Sequence, residues 1–216
     1  MKNGVFISIE GGEACGKSTQ VKKLKEYINA CKNKDNFIYV REPGGTPLAE
    51  EIRKLLLNYE EDNPLPMTEL LLFCAARCEN THKRIKPALN EGKVVIADRF
   101  YDSTIAYQGM ARQIMSPEEI LTLTKTVIGD VKPDLTLYLK LEPKEAFKRK
   151  ANLSEELDRI EKEGLKFHQN VKKGYDYISS IEPERFCVID ASKSPEEVFE
   201  EIINANNQKF PTIFKN

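Results

Sequence analysis

The sequence has little net charge, few cysteines and histidines, and no long apolar run. Among its 216 residues, 33 basic side chains nearly balance 34 acidic ones, so nothing electrostatic favours nucleic acid or an acidic membrane surface as a partner. No apolar run approaches the ~20 residues that a membrane-spanning helix needs. The first apolar stretch, residues 5–9, ends at Glu10 and is too short for a secretion signal. These absences predict a cytoplasmic protein that binds neither a membrane nor nucleic acid.

The five cysteines are odd in number and scattered, unlike the disulfide framework of a small secreted domain. Cys74, Cys78 and His82 are spaced four residues apart on a predicted helix and therefore share one face. A metal site there is conceivable, but no second ligand cluster follows, and buried thiols on an apolar helix fit the pattern better. The other histidine, His168, has no acidic or cysteine partner in its segment and is predicted to be structural.

Short apolar strands alternate with longer helical patterns along the chain, which predicts a parallel sheet covered by helices on both faces. A chain of this length is most simply one domain, residues 1–216. The highly charged stretch KRKANLSEELDRIEKEG has few apolar residues and predicts a mobile excursion rather than a part of the core. The predicted strands are 5–9, 37–40, 94–97, 135–139 and 186–189, and the predicted helices are 18–30, 48–57, 68–89, 117–128, 144–150, 165–180 and 195–206.

The segment IEGGEACGKST, residues 9–19, joins the first predicted strand to the first predicted helix. Small residues between Gly11 and Gly16 let successive backbone N–H groups turn inward around a polyphosphate, and the following helix adds the positive end of its dipole. Lys17 can reach the outer phosphates, and the Ser18 hydroxyl can bind a magnesium ion. The order of strand, glycine-rich loop and helix predicts a loop that holds nucleotide phosphates.

Asp98 and Arg99 follow the third predicted strand, and sites in a parallel α/β sheet form at the carboxyl ends of its strands. The aspartate can hold magnesium directly or through water, and the arginine can neutralise charge on a transferring phosphoryl group. An ordinary ion pair at the strand end is the alternative.

A phosphate acceptor needs a cationic clamp of its own, and arginine forks suit phosphate. Arg41, Arg53 and Arg77 lie within or near the segments that follow the predicted strands, although each alone also fits a solvated surface role. Phe73 precedes Arg77 by four residues, so ring and guanidinium share a helical face. The pair could stack on a base while gripping its phosphate, and the alternative for Phe73 is a place in the core.

Six segments resemble thymidylate kinase of the bacterial kind, in order and over nearly the whole length: FISIEGGEACGKSTQ, VREPGGTPLAEEIRKLLL, ELLLFCAARCE, KPALNEGKVVIADRFYDSTIAYQG, PDLTLYLKLEP and ELDRIEKEGLKFHQNVKKGY. The combination of REPGGT and DRFYDSTIAYQG is far more specific than the phosphate loop. The resemblance implies a three-layer P-loop kinase fold with a five-stranded parallel sheet, a short mobile lid at about 150–163, and a homodimer. It also implies transfer of the γ-phosphoryl group of ATP to dTMP, giving ADP and dTDP for dTTP biosynthesis, with Mg²⁺.

The resemblance further implies which residues bind and react. The expected ATP-binding set is the phosphate loop and one arginine beside the adenine: Gly11, Gly12, Glu13, Ala14, Cys15, Gly16, Lys17, Ser18, Thr19 and Arg149. The expected dTMP-binding set is Glu13, Arg41, Arg53, Phe73, Arg77, Arg99, Ser103, Tyr107 and Gln108. Ser18 and Asp98 are expected to hold magnesium, and the expected catalytic residues are Lys17, Asp98 and Arg99. Arg159 is added to the catalytic set as a hypothesis of our own, outside the family pattern.

Within the dTMP-binding set, the resemblance gives each side chain a role. Phe73 would stack on the thymine, Gln108 would hydrogen-bond it, and Tyr107 would pack against the deoxyribose. The 3′-hydroxyl would meet Glu13. The phosphate would meet Arg99 together with Arg41 or Arg53, and Arg77 would reach both base and phosphate.

The lid departs from the family pattern, because bacterial relatives often carry several arginines there and this chain has none between Arg149 and Arg159. We hypothesise that Arg159 swings over the phosphates when the lid closes and so supplies the missing positive charge. The alternative is a solvated network of Arg159 with its neighbours Asp158 and Glu161.

Two other functions are compatible with the sequence. One is a nucleotide or nucleoside kinase of the same fold that uses a different acceptor. The other is a nucleotide-binding switch, and NKDN at 33–36 superficially matches the Asn-Lys-x-Asp segment of guanine-specific switches. That segment precedes the second predicted strand and has the wrong residue order, which disfavours a switch.

Overall fold

The five predicted strands form one parallel sheet in the computed structural model, which describes residues 4–58, 63–151 and 158–214. The strands lie in the order β2-β3-β1-β4-β5, so β1 is central and pairs with both β3 and β4. Every strand begins at the predicted residue and continues one or two residues beyond the predicted end. The strands are β1 (Val5–Gly11), β2 (Phe37–Arg41), β3 (Val94–Asp98), β4 (Leu135–Lys140) and β5 (Phe186–Asp190).

Helices connect the strands as the alternating pattern predicts. The predicted helix at 68–89 is confirmed as a continuous run in which α3 passes through a π-helical turn (Thr81–Ile85) into α4. The helices are α1 (Lys17–Asn29), α2 (Pro47–Asn58), α3 (Pro66–Asn80), α4 (Lys86–Asn90), α5 (Tyr101–Thr104), α6 (Pro117–Ile128), α7 (Pro143–Ala151), α8 (Leu165–Ile181) and α9 (Pro195–Lys209), with a short 3₁₀ turn at Lys34–Asn36.

The segment after β3 is helical, which the sequence analysis does not predict. Here α5 continues into a second π-helical segment, Ile105–Ala111. This helix packs on α8 so closely that a Cβ on Gly174 would lie 2.5 Å from Cα of Ala106. Its conformation is therefore stabilised by tertiary packing rather than by a local apolar period.

Apolar side chains on the two faces of the sheet form two separate cores, which makes the architecture three-layered. Ile7 and Ile9 of β1 belong to the core that α1 and α9 cover. Phe6 points to the opposite face and packs edge-on against Phe100, with α3 to α6 and α8 outside it. Cys74 is buried in this second core, whereas Cys78, which was also expected to be buried, is exposed.

The predicted lid at 150–163 lies partly outside the described residues, since 152–157 are not described. After that gap the chain makes a turn in which the Asp158 carboxylate accepts hydrogen bonds from the backbone N–H groups of Ile160 and Glu161, each 2.8 Å long. In the part of the chain that the structure describes, no helix has the length and apolarity needed to cross a bilayer.

Candidate active site

Two cavities meet at the carboxyl ends of β1 and β3. The first, about 280 Å³, is called the arginine cavity here because Arg41, Arg53, Arg77 and Arg99 line it. All members of the predicted dTMP-binding set line this cavity, together with Lys17, Ser18 and Asp98. The second, about 640 Å³, is the loop cavity, which residues 13–20 of the phosphate loop line with Arg149. The register of β1, β3 and β2 explains the convergence, because Ile9 pairs with Asp98 and Asp98 with Arg41.

The phosphate loop has the backbone geometry that its glycines allow. Gly11 has φ +151° and sits so close to β4 that a Cβ there would lie 2.6 Å from the Leu139 carbonyl oxygen. Gly16 has φ +91° with open space around it, and α1 begins at the next residue. The first N–H groups of α1 therefore face the loop cavity without a capping side chain, as anion binding requires.

Lys17 folds back over this loop. Its Nζ donates to the carbonyl oxygens of Gly11 at 3.2 Å and Gly12 at 3.0 Å. These are contacts within the loop, so the ammonium stays at the place where phosphates would lie.

Arg99 joins the phosphate loop to two tyrosines. Its Nη1 donates to the Gly11 carbonyl oxygen at 2.9 Å and to the Tyr175 hydroxyl at 3.0 Å. Its Nη2 donates to Glu13 at 2.7 Å and to the Tyr107 hydroxyl at 3.1 Å. The backbone of Arg99 has φ +67°, a left-handed conformation that a non-glycine residue adopts at a cost. A planar fork with several donors, held in this conformation, fixes a positive charge in the arginine cavity beside Glu13 of the phosphate loop.

Glu13 is ionised in this setting. Burial opposes its ionisation, but the charges of Arg99 and Lys17 and a hydrogen bond from Tyr107 outweigh burial and lower the pKa of Glu13 to about 2. The Tyr107 hydroxyl donates to Oε1 of Glu13 at 2.5 Å. Glu13 and Tyr107 thus act as a coupled pair rather than as two independent contacts.

The other three arginines differ in how firmly the protein holds them. Arg77 is buried, with Nε donating to Glu42 at 2.7 Å and Nη1 to Thr104 at 2.7 Å. Arg41 is more exposed and pairs with Glu50 at 2.8 Å. Arg53 donates to the Pro43 carbonyl oxygen at 2.9 Å, and burial together with the charge of Arg41 lowers its pKa.

Arg149 lines the loop cavity and is not among the described residues that line the arginine cavity. Its Nη2 donates to the Ala191 carbonyl oxygen at 2.9 Å, in the segment that follows β5. Its Nη1 reaches the Ala14 carbonyl oxygen at 3.5 Å. The guanidinium therefore bridges the phosphate loop and the loop after β5, and both line the same cavity.

Comparison with known proteins agrees with this geometry. The thymidylate kinase family model matches residues 9–202. This chain belongs to the thymidylate kinase family. It is 47% identical to the thymidylate kinase of Mesoplasma florum over 91% of this chain and 92% of the relative, and 43% identical to that of Symbiobacterium thermophilum over 98% and 96%. The crystal structure of thymidylate kinase from Ehrlichia chaffeensis superposes with a TM-score of 0.75 at 35% identity, covering 94% of this chain and 98% of that one.

Membership of this family makes the protein a phosphotransferase, a nucleoside monophosphate kinase that uses ATP with Mg²⁺ as its phosphate donor system. Ser18 and Asp98 fit a thymidylate kinase magnesium site, since both offer oxygen atoms and both line the arginine cavity beside the phosphate loop. Among the described residues no cluster of three or more histidine, cysteine or acidic side chains forms a cage for a metal. Nucleotide phosphates and waters would therefore complete the coordination.

Arg159 does not face the phosphate loop in this structure, although the hypothesis of a lid arginine over the phosphates requires that position. Its Nη2 donates to Glu69 at 2.6 Å, and Nε and Nη2 both reach the Leu56 carbonyl oxygen at 3.3 Å. Arg159 is not among the described residues that line either cavity. The solvated pairing with Asp158 and Glu161 is not what holds it either, because the buried Glu69 carboxylate is its partner. Its catalytic role stays a prediction about a different, closed conformation.

Sequence reasoning missed several buried acidic groups of the site. Glu10 ends the apolar part of β1, is fully buried, and accepts hydrogen bonds from Phe100 N–H at 2.6 Å, Ser103 at 2.7 Å and Tyr175 at 2.9 Å. A lone acid in a buried strand is the signal that could have identified it. Burial and the nearby charge of Asp102 raise the pKa of Glu10 to about 7.

This raised pKa predicts a pH dependence of stability. Between its ordinary pKa of 4.5 and about 7, Glu10 holds a proton in the folded state that it has lost in the unfolded state. The free energy of unfolding should therefore fall as pH rises through that window, and Glu10→Gln should remove this part of the slope. The contribution of Glu10 is the difference in slope between the unmodified protein and Glu10→Gln. The difference is needed because burial lowers the pKa of His168, and His168 therefore contributes to the slope with the opposite sign. Denaturant unfolding from about pH 5 to about pH 8 measures it, and parallel curves for both proteins would contradict the assignment.

Proposed function

We propose that this protein transfers the γ-phosphoryl group of ATP to dTMP and releases ADP and dTDP. The observation that carries this proposal is the junction of the two cavities, where Glu13, Lys17 and Ser18 line both. A donor with its phosphates in the loop cavity and an acceptor with its phosphate among the arginines would meet there. The family membership of the chain supports the choice of donor and acceptor.

The arginine cavity suits a phosphorylated acceptor. Guanidinium forks bind phosphate in two-point fashion, and Arg41, Arg53 and Arg99 line this cavity. The same cavity offers the ring of Phe73 and the amide of Gln108, which suit the face and the polar edge of a base. We assign the first three to the acceptor phosphate and the last two to thymine, with Arg77 and Ser103 completing the acceptor site.

The reaction needs positioning and charge more than covalent chemistry. An oxygen of the dTMP phosphate forms a bond to the γ-phosphorus while the bond from that phosphorus to the bridging oxygen breaks, and ADP leaves with the bridging oxygen. We assign Lys17 and Arg99 to the negative charge that gathers on the transferring group, and Arg149 to the adenine side of the donor. When bound, magnesium neutralises phosphate charge, and Ser18 and Asp98 are its proposed ligands.

A coupled assay with ATP and magnesium against a panel of nucleoside monophosphates tests the proposal. The highest kcat/KM is expected with dTMP. A higher value with another monophosphate would replace thymidylate with that acceptor, and the absence of turnover with every monophosphate would contradict the proposal. The panel includes dUMP and dCMP, because they differ from dTMP only in the base and therefore test how the protein recognises it.

Tyr107→Ala is expected to narrow the preference for a deoxyribose acceptor over its ribose counterpart by about tenfold. If the Tyr107 ring packs on the sugar, a 2′-hydroxyl collides with it or is buried without a partner, at about 1–3 kcal/mol. Tyr107→Phe is the matched control, because it keeps the ring and removes only the hydroxyl that donates to Glu13. The ratio of kcat/KM for dTMP and ribothymidine monophosphate is measured in each variant. An unchanged ratio in Tyr107→Ala would contradict the proposed packing of Tyr107 on the sugar.

We also propose that residues 1–216 form a single kinase domain that acts as a cytoplasmic homodimer. One sheet that uses strands from Val5 to Asp190 supports a single domain.

Apolar side chains exposed on α2 and α3, including Leu48, Leu55, Met67 and Leu71, support association with a second copy. Sedimentation equilibrium tests the dimer, and a monomer at micromolar concentration would contradict it. The use of ATP supports the cytoplasm, which cell fractionation tests.

A further inference from the structure

Glu69 is a buried carboxylate beside the arginine cavity, and it belongs to none of the predicted binding or catalytic sets. It lies on α3 with only 1% of its surface exposed. Its Oε1 accepts a hydrogen bond from Nε2 of Gln108 at 2.9 Å, and its Oε2 accepts one from Nη2 of Arg159 at 2.6 Å. Arg112 adds two longer contacts of 3.4 Å, one to each oxygen. One acidic side chain thus joins α3, the helical segment after β3, and the described C-terminal part of the predicted lid.

The chemistry of Glu69 decides which way the Gln108 amide faces. Burial opposes ionisation of Glu69, but the hydrogen bond from Gln108 and the charges of Arg112 and Arg159 outweigh it and lower its pKa. An ionised carboxylate accepts hydrogen bonds and donates none, so Gln108 must turn its NH₂ group toward it. The amide carbonyl is then held on the other arm of the same planar group. Without such a partner a glutamine amide can flip and exchange its donor and acceptor ends.

We infer that Glu69 determines base specificity by holding Gln108 so that its carbonyl oxygen is offered to the acceptor base. This inference rests on the proposed function, in which Gln108 meets the base. Thymine and uracil carry a hydrogen on N3 and can donate to that oxygen, whereas N3 of cytosine is an acceptor and would face it without a hydrogen between them. A fixed carbonyl therefore favours dTMP and dUMP over dCMP, because mismatched buried polar groups are costly.

Glu69→Gln tests the inference, because the new amide can accept or donate and no longer fixes the orientation of Gln108. The preference for dTMP over dCMP in kcat/KM is expected to fall by at least about tenfold. The ratio of dUMP to dTMP is expected to stay within about twofold, since both bases present the same N3–H. Where turnover of dCMP is below detection, its inhibition constant against dTMP replaces its kcat/KM.

These ratios are measured within one variant, so they are independent of how much of the preparation is folded. Arg112→Met is the matched control, because it removes another hydrogen-bond partner of Glu69 and leaves the contact between Gln108 and Glu69 in place. It also removes the hydrogen bond from Nη1 of Arg112 to Glu163, which is 2.5 Å long. Its dTMP to dCMP ratio is expected to match that of the unmodified protein. If Glu69→Gln does not fold, Glu69→Asp, which withdraws the carboxylate by one methylene, is measured in the same way with the same expected direction.

The outcomes separate the inference from the function on which it rests. An unmodified protein that does not phosphorylate dTMP overturns both. An unmodified protein that prefers dTMP, with a dTMP to dCMP ratio unchanged in the Glu69 variant, overturns the inference alone. A dUMP to dTMP ratio that changes as much as the dCMP ratio also overturns it, because general loosening of the cavity would explain both changes.

Discussion

Replacing Lys17 with alanine is expected to lower kcat by about 10³-fold while the protein keeps its fold. The Nζ atom of Lys17 binds the backbone carbonyl oxygens of Gly11, at the end of β1, and of Gly12, and it reaches the core side chain of Cys15 only at 3.9 Å. The Gly11 oxygen keeps a second partner in the variant, because Arg99 also donates to it at 2.9 Å. Removing the ammonium therefore removes positive charge from the junction of the two cavities and little that holds the helices and strands together.

Single-turnover rates, ATP titration and thermal unfolding separate these effects. The midpoint temperature is expected to shift by less than about 3 °C, which corresponds to about 1 kcal/mol in a protein of this size. Lys22→Ala is the matched control, since Lys22 lies on the same helix with an exposed side chain. A Lys17→Ala protein with near-normal turnover and unchanged stability would contradict the role given to Lys17.

The strands and most helices follow from the sequence because their signals are local. Val5 to Ile9 and Val94 to Ala97 are apolar runs whose burial needs no knowledge of distant residues, and both strands begin at the predicted positions. The helix at 101–111 does not follow, because it depends on contact between Ala106 and Gly174, 68 positions apart in the chain. Local periodicity carries no information about such a contact.

The candidate site also contains residues that the sequence predicts and residues that it does not. The loop at 11–19 and the pair Asp98 and Arg99 are predictable, because their place after a strand fixes where they lie in a parallel sheet. The partners that orient the site are not, because Glu10 and Tyr175 lie 165 positions apart and meet only in the folded chain. Arg159 illustrates the limit: its sequence neighbours are acidic, yet its partner is Glu69, which lies 90 positions away.

Arg99→Met is expected to lower kcat by about 10²–10³-fold and to destabilise the fold by about 3 kcal/mol, through two separable causes. Methionine removes the guanidinium charge from the arginine cavity and leaves Lys17 in place, which accounts for the loss of turnover. It also leaves Glu13, whose side chain is 15% exposed, without its 2.7 Å partner. A nearly buried charge that loses its partner is costly, which accounts for the loss of stability.

The double variant Arg99→Met, Glu13→Gln separates these causes. Neutral glutamine removes the stranded charge and can still accept the hydrogen bond from Tyr107, so most of the lost stability should return. Turnover should not return, because the guanidinium of Arg99 is still missing. Denaturant unfolding and single-turnover rates are compared in both variants and in Glu13→Gln alone, because Glu13 lines both cavities and its replacement can itself lower turnover. Recovery of turnover together with stability would mean that Arg99 acts only by holding the loop to Tyr107 and Tyr175. Lost turnover with restored stability is expected if its charge acts on the transferring phosphoryl group itself.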